Sequence, residues 1–253
     1  MKIYQFLVLG TVTLPLFLGC ETMSQIASNM PNTTTGTTRP STTGSVTQTE
    51  AATGIKQALG NGLNNSINAL SIKDGFLGNA AVKILMPAEA QQVEKTLRSI
   101  GMGSLVDNFV TSLNRAAESA VKEAAPVFVN SLSQMTVTDA FSILLGAQQD
   151  AATTFFKRTT SATLASKFSP IVESALGKNN VSTYWTQLTS AYNNLPITSN
   201  KVTTDLNAYV TQKAIDGLFV KVAEEELKIR QNIGGSRNTG MLQKVFGWVD
   251  AQK

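Results

Sequence analysis

DLNAYVTQKAIDGLFVKVAEEELKIRQN, residues 205–232, is the stretch that decides the fold. It runs long without a Pro and carries a dense charge run, EEELKIR, near its end. Set Leu206 at 0° and advance about 100° per residue: Val210, Ala214, Leu218 and Val222 climb from about 40° to about 160°. Ile215, Phe219 and Ala223 widen the apolar arc to about 260°. A surface helix needs an apolar stripe only a little wider than about 100°. The periodicity therefore predicts a central helix with other helices on most of its sides. Gly217 in its interior costs roughly 1 kcal/mol against Ala, which points to close approach by a neighbouring helix.

The charges on this helix sort by angle. Glu224 falls near 0° and Glu226 near about 200°, at the edges, while Glu225 falls near about 100°, between Ala214 and Leu218. A buried carboxylate without a partner is costly. Either the helix has left the core by residue 225, or Glu225 has a partner. Lys221 at i−4 and an Arg from another helix are the two candidates. A paired structural carboxylate and a ligand or metal role are the two readings of that residue.

Outward from the central helix, the rest of the chain is also helical in pattern. Gly234-Gly235-Ser236-Arg237-Asn238 is a loop, and Met241, Leu242, Val245, Phe246 and Trp248 predict a short terminal helix. Ser182 reads as the cap of a helix carrying Tyr184, Trp185, Leu188 and Tyr192 and ending at Pro196. Asp150 reads as a helix N-cap or first-turn acid before DAATTFFKR. The helical pattern from Leu164 to Leu176 crosses Pro170, which is expected to kink or restart it. Thr136-x-x-Asp139 has the form of a capping box before Ala140–Leu145, and Pro126 precedes a short helix over 127–134. Residues 104–123 form a clean amphipathic helix. Pro87 opens a helix running to Ile100, and Asn79 reads as the N-cap of a short helix over 80–85. From Ala51, Ile55, Leu59, Leu63, Ile67 and Leu70 recur at helical spacing, with a weak point at Asn61-Gly62. No strand-like alternation of useful length, no Walker loop and no GxGxxG is present. The fold class is all-α: a single helical bundle domain of roughly nine or more helices, over 51–250.

The N-terminal fifth reads differently. MKIYQFLVLGTVTLPLFLGC, residues 1–20, has one cation, Lys2, then an apolar run broken by Thr11, Thr13 and Pro15. That is the pattern of a secretory signal, not of a spanning helix. Phe17-Leu18-Gly19-Cys20 resembles a bacterial lipobox, with residues 1–19 as the signal and Cys20 as the lipidated residue. The one Cys of the chain sits where such an anchor needs it. Residues 20–50 then form a Thr/Ser-rich stretch with almost nothing apolar to bury, read as a disordered tether.

Composition excludes several chemistries. The chain has no His, which removes Ser-His-Asp and Cys-His triads and His-based metal sites. With Cys20 acylated, no thiol remains for a disulfide, a nucleophile or a metal. No cofactor and no metal site is read from the sequence. The formal charge of +4 is weak over a chain of this length. No Lys/Arg run with interleaved aromatics is present, so nucleic acid is not a predicted partner.

Asn114-Arg115-Ala116-Ala117-Glu118, Asp139-Ala140, Asp150-Ala151-Ala152-Thr153, the run Tyr209–Phe219 and Glu224-Glu225 through Ile229-Arg230 together resemble a family of exported, all-helical bacterial proteins catalogued as a domain of unknown function. The similarity covers about residues 51–247. It implies a single helical domain in the envelope of Gram-negative bacteria, often behind a signal or lipobox. It brings no activity with it. Ile233 departs from it, where the resemblance leads one to expect Pro after Asn232.

Three functions are open at this point. The first is a lipid-anchored, non-enzymatic envelope protein that binds a partner, with the membrane reached through Cys20. Glu21 is not the Asp of the usual inner-membrane retention signal, so the expected location is the periplasmic face of the outer membrane. The second is a binder of a small molecule or ion, with a buried polar site drawn from Asn114, Arg115, Glu118, Asp150, Thr153, Arg158, Lys213, Asp216, Glu225 and Arg230; a structural salt-bridge network explains the same residues. The third is a two-carboxylate hydrolase using Glu118, Asp216 or Glu225.

Overall fold

A computed structural model describes residues 45–178, 180–194 and 205–252. Cys20, the signal, most of the tether and the end at Pro196 lie outside the described residues. Nine α-helices occur among the described residues: α1 (Gln48–Ser71), α2 (Gln91–Ser99), α3 (Gly103–Val121), α4 (Ala124–Gln134), α5 (Val137–Leu145), α6 (Ala151–Lys178), α7 (Val181–Asn193), α8 (Leu206–Gln231) and α9 (Gly240–Asp250). No strand is present among them. Two short 3₁₀ turns, Ala88–Ala90 and Ile233–Gly235, join elements.

Helix α8 is the strut that its wide apolar arc predicts. It packs against α6, α1 and α3 at once. Val210, Ala214, Leu218, Ile215, Phe219 and Val222 are all buried, so the arc from about 40° to about 220° finds neighbours, while Ala223 at its far edge is half-buried. Asp205 caps the helix by accepting from the Ala208 N–H at 2.9 Å. Asn232, with φ of 52°, ends it in the left-handed conformation. Around the strut, Phe128 meets Phe156 and Phe219 edge-on at centroid distances of 5.5 and 6.2 Å. Adjacent Phe155 and Phe156 diverge as the helical spacing requires: Phe156 is buried and Phe155 lies half-exposed on the surface of α6.

Several local expectations are corrected. Helix α1 starts at Gln48, three residues before the apolar periodicity begins, because Thr47 and Glu50 make a capping box. It is unbroken at Gly62, whose missing side chain faces Glu225 Cβ and Ile229 of α8. Helix α6 runs through Pro170 without restarting; Phe168 and Val172 on either side are fully buried, and that packing outweighs the one lost backbone bond. The cap residue at the start of α7 is Asn180, in the left-handed region, not Ser182.

The largest difference is at 72–87, where no helix forms over 80–85. The chain instead crosses the bundle as a series of turns, with Phe76, Val82, Ile84 and Met86 plugged into the core. This segment, not a neighbouring helix, is what approaches Gly217. A Cβ at Gly217 would lie 2.7 Å from the Phe76 ring and 3.2 Å from Val82 Cβ.

The two ends of the described chain meet. Helix α9 packs on α1, with Val245 seated on Gly54 and Lys244 paired with Glu50. The hydrogen bond from Lys244, with those from Thr47, holds the Glu50 carboxyl below its ordinary range.

Candidate functional site

The polar residues singled out in the sequence fall into separate groups. The first is built on α3. Asn114 is fully buried; its Oδ1 accepts from the Ile84 N–H at 2.9 Å, and its Nδ2 donates to Ile84 O at 2.8 Å and Val110 O at 2.7 Å. One turn on, buried Glu118 accepts from the Phe76 N–H at 3.2 Å and from Arg115 at 2.7 Å. Arg115 also reaches Asp74 at 2.7 Å. Burial pulls the Arg115 guanidinium down, but hydrogen bonds to Glu118 and Asp74 outweigh it and hold the group above its ordinary value. These three side chains are satisfied by the 72–87 segment, whose backbone has no ladder of its own. They replace the secondary structure that the segment lacks.

The second group joins α8 to the turn between α5 and α6. Glu226, 5% exposed, accepts from the Ala152 and Thr153 N–H groups and the Thr153 hydroxyl, all at 2.9 Å. It therefore caps α6 from a different helix, in the place that Asp150 was expected to fill. Arg230 donates to Glu226 at 2.8 and 3.0 Å, and to Ile143 O, near the C-terminus of α5, at 2.8 Å. The anion sits at a helix N-terminus and the cation at a helix C-terminus, as the two helix dipoles favour. A recess of about 10 Å³ adjoins this pair, the space of about one water.

Glu226, not Glu225, is thus the buried carboxylate of α8. Glu225 is half-buried and pairs with Lys228 and with Asn65 Nδ2 at 3.0 Å. Lys221, its expected partner, pairs with Glu224. Lys213 is exposed beside the Tyr209 ring, 5.8 Å from its centroid, and Asp216 is exposed and accepts from Gln212 at 2.9 Å. Arg237, which the sequence left in a loop, is buried. It donates to Ile229 O at 2.8 Å and to Arg230 O, pairs with Asp250 and lies 5.0 Å from the Phe246 ring centroid. A basic residue five places past a helix end was its only signal.

Arg158 stands apart from these groups. Of the five arginines among the described residues, Arg98, Arg115, Arg230 and Arg237 make salt bridges within 4 Å, and Arg158 makes none. Its guanidinium is exposed, lies 5.8 Å from the centroid of Phe155 and lines a groove of about 260 Å³ between α4 and α6. Helix α4 contributes Asn130, Ser131 and Gln134, and α6 contributes Phe155, Thr159 and Thr163. Asp139, at the start of α5, is the one carboxylate among the lining residues. Its Oδ2 accepts from the Thr136 hydroxyl and N–H. Those bonds, with the field of Arg158, hold the Asp139 carboxyl below its ordinary range. The sequence offered part of this surface: Phe155, Arg158, Thr159 and Thr163 share one helical flank. The α4 wall was not legible, because only tertiary packing sets it opposite α6.

Among the described residues, no helix is long and apolar enough to cross a membrane. The family model described as a protein of unknown function, DUF4197, matches residues 45–247. No curated protein and no solved structure matches the chain.

Proposed function

The chain belongs to the DUF4197 family of proteins of unknown function, and from there we propose that it is a lipid-anchored envelope protein whose helical domain binds a partner or ligand and does not transform it. The observation that carries the binding part is Arg158: an exposed guanidinium without a salt bridge, in a groove walled by amides and hydroxyls. Such a cation is free to take an incoming anion. The polar groups inside the bundle support a structural role in their own case, since their hydrogen bonds are made by the protein itself. Two-carboxylate hydrolysis draws no support from the groove, where Asp139 has no second carboxylate beside it among the lining residues.

The anchoring part rests on Gly19-Cys20 after the apolar run and on the polar stretch that follows. Several acyl chains on Cys20 give stable membrane attachment. Glu21 supports the outer membrane over the inner. The test is phase partition and mass spectrometry of protein expressed in a Gram-negative host. The wild type is expected in the detergent phase, with a mature N-terminus at an acylated Cys20, and Cys20→Ser in the aqueous phase or uncleaved. An unmodified Cys20 in the mature wild-type protein would overturn the anchor. A photo-crosslinker at Gln134 is expected to capture a defined envelope species, and Arg158→Ala to weaken that capture.

A further inference from the structure

We propose that the groove between α4 and α6 takes a small zwitterion that carries both an ammonium and a carboxylate: a free amino acid or the end-to-end frame of a short peptide. This rests on the reading of the groove as a binding site and names its ligand class.

The lining holds one cation, Arg158, and one anion, Asp139, on different helices. They feel each other's field, yet they do not close into a salt bridge within 4 Å. A pair of opposite charges held apart across a recess is complementary to a ligand with two opposite charges of its own. A simple anion would gain Arg158 and meet Asp139; a simple cation would meet the reverse. Only a zwitterion satisfies both.

The detail of each group agrees. Arg158 offers a planar fork suited to a carboxylate. On Asp139, Oδ2 is taken by Thr136, while Oδ1 accepts no hydrogen bond from the described residues. The carboxyl is ionised at neutral pH as any ordinary carboxylate is, and its neighbours hold it further below the ordinary range. Elsewhere in the lining, Asn130 Nδ2, Gln134 Oε1 and the Thr163 hydroxyl offer a donor and acceptors to a peptide amide, while Gln134 Nε2 donates to Asn130 Oδ1 at 3.3 Å. Size sets the upper limit. The groove, at about 260 Å³, falls just below the roughly 300–1,000 Å³ of drug-sized pockets, which leaves room for one or two small residues.

The experiment is calorimetric titration of the full-length protein in detergent with four probes: Ala-Ala, N-acetyl-Ala-Ala, Ala-Ala amide and acetate. Ala-Ala is expected to bind saturably, with either blocked dipeptide and acetate at least tenfold weaker. Arg158→Gln and Asp139→Asn are each expected to lower Ala-Ala affinity tenfold or more. Asp139 also caps α5, so melting of that variant is measured alongside; Arg158→Gln removes an exposed group and keeps the test open if Asp139→Asn is destabilised. Binding of N-acetyl-Ala-Ala or acetate as tight as that of Ala-Ala, lost in Arg158→Gln, would overturn the zwitterion while leaving the groove a binding site. No saturable binding of any probe, or binding indifferent to Arg158→Gln, would overturn this assignment, and the partition and crosslinking tests above decide the proposed function independently.

Discussion

Glu226 accepts five hydrogen bonds on two oxygens while almost wholly shielded from water. Truncating it leaves two helix-start amides and the guanidinium of Arg230, itself 12% exposed, without their partner. Removing one member of a buried ion pair costs about 3–5 kcal/mol. Glu226→Ala is expected to lose that much in urea denaturation at neutral pH. Glu225→Ala is expected to lose about 1–2 kcal/mol, since Lys228 is 44% exposed and Asn65 is a neutral partner. Equal losses for the two variants would contradict the assignment of Glu226 as the trans cap. Glu226 was expected at an edge of the apolar arc, but at about 200° it lies between Ile215 and Phe219, inside the arc. Glu225 also faces the arc, but opposite it stands Gly62, and its side chain reaches Asn65 on α1 and Lys228 one turn on along α8. The angle was legible for both; the space opposite each was not.

At the level of elements, some caps written in the local sequence were read, while the Thr47–Glu50 box and the Asn180 cap were missed, and no long-range substitute for a cap was legible. Thr136 with Asp139 and Asp205 with Ala208 close their rings within a few residues, so the starts of α5 and α8 followed from the sequence. The cap of α6 comes from a residue 73 positions away, and the hydrogen bonds of Ile84 come from 30 positions away. The mistaken helix over 80–85 has the same origin: its Asn79 does make a local turn, accepting from Ala81 at 3.1 Å, but Asn114 takes the backbone beyond it. Helix glycines separate the two influences in a measurable way. Gly217→Ala gains about 1 kcal/mol in propensity and drives a methyl into Phe76, an overpacking that costs typically 1–3 kcal/mol. Gly247→Ala in α9 meets nothing within 4 Å and is expected to gain about 0.5–1 kcal/mol. Thermal melts of the two variants should therefore move in opposite directions; a rise for both would mean that the 72–87 segment yields easily.

On the scale of the whole molecule, Arg237 is the joint that turns the chain from the strut into the last helix. Arg237→Ala frees the carbonyls of Ile229 and Arg230 and the carboxylate of Asp250 together. Hydrogen exchange followed by mass spectrometry is expected to show lost protection over 240–250 and the last turn of α8, with α3 unchanged. Loosening spread evenly over α3 and α6 would show instead that Arg237 supports the bundle as a whole. An all-helical bundle around one strut was readable from periodicity alone; the seating of α9 against α1 was not, because it joins segments nearly two hundred positions apart. That seating bears on how the protein is made. The part of α1 around Gly54 stays uncovered until Val245 and its neighbours leave the ribosome, while α3, α4, α5 and α8 cover the rest of its buried side. Contacts of such sequence separation form late, so this seating is completed only once the last helix has been made. For the export proposed above, the polypeptide has to remain threadable until its synthesis is nearly done, and a last helix that seats on the first favours that.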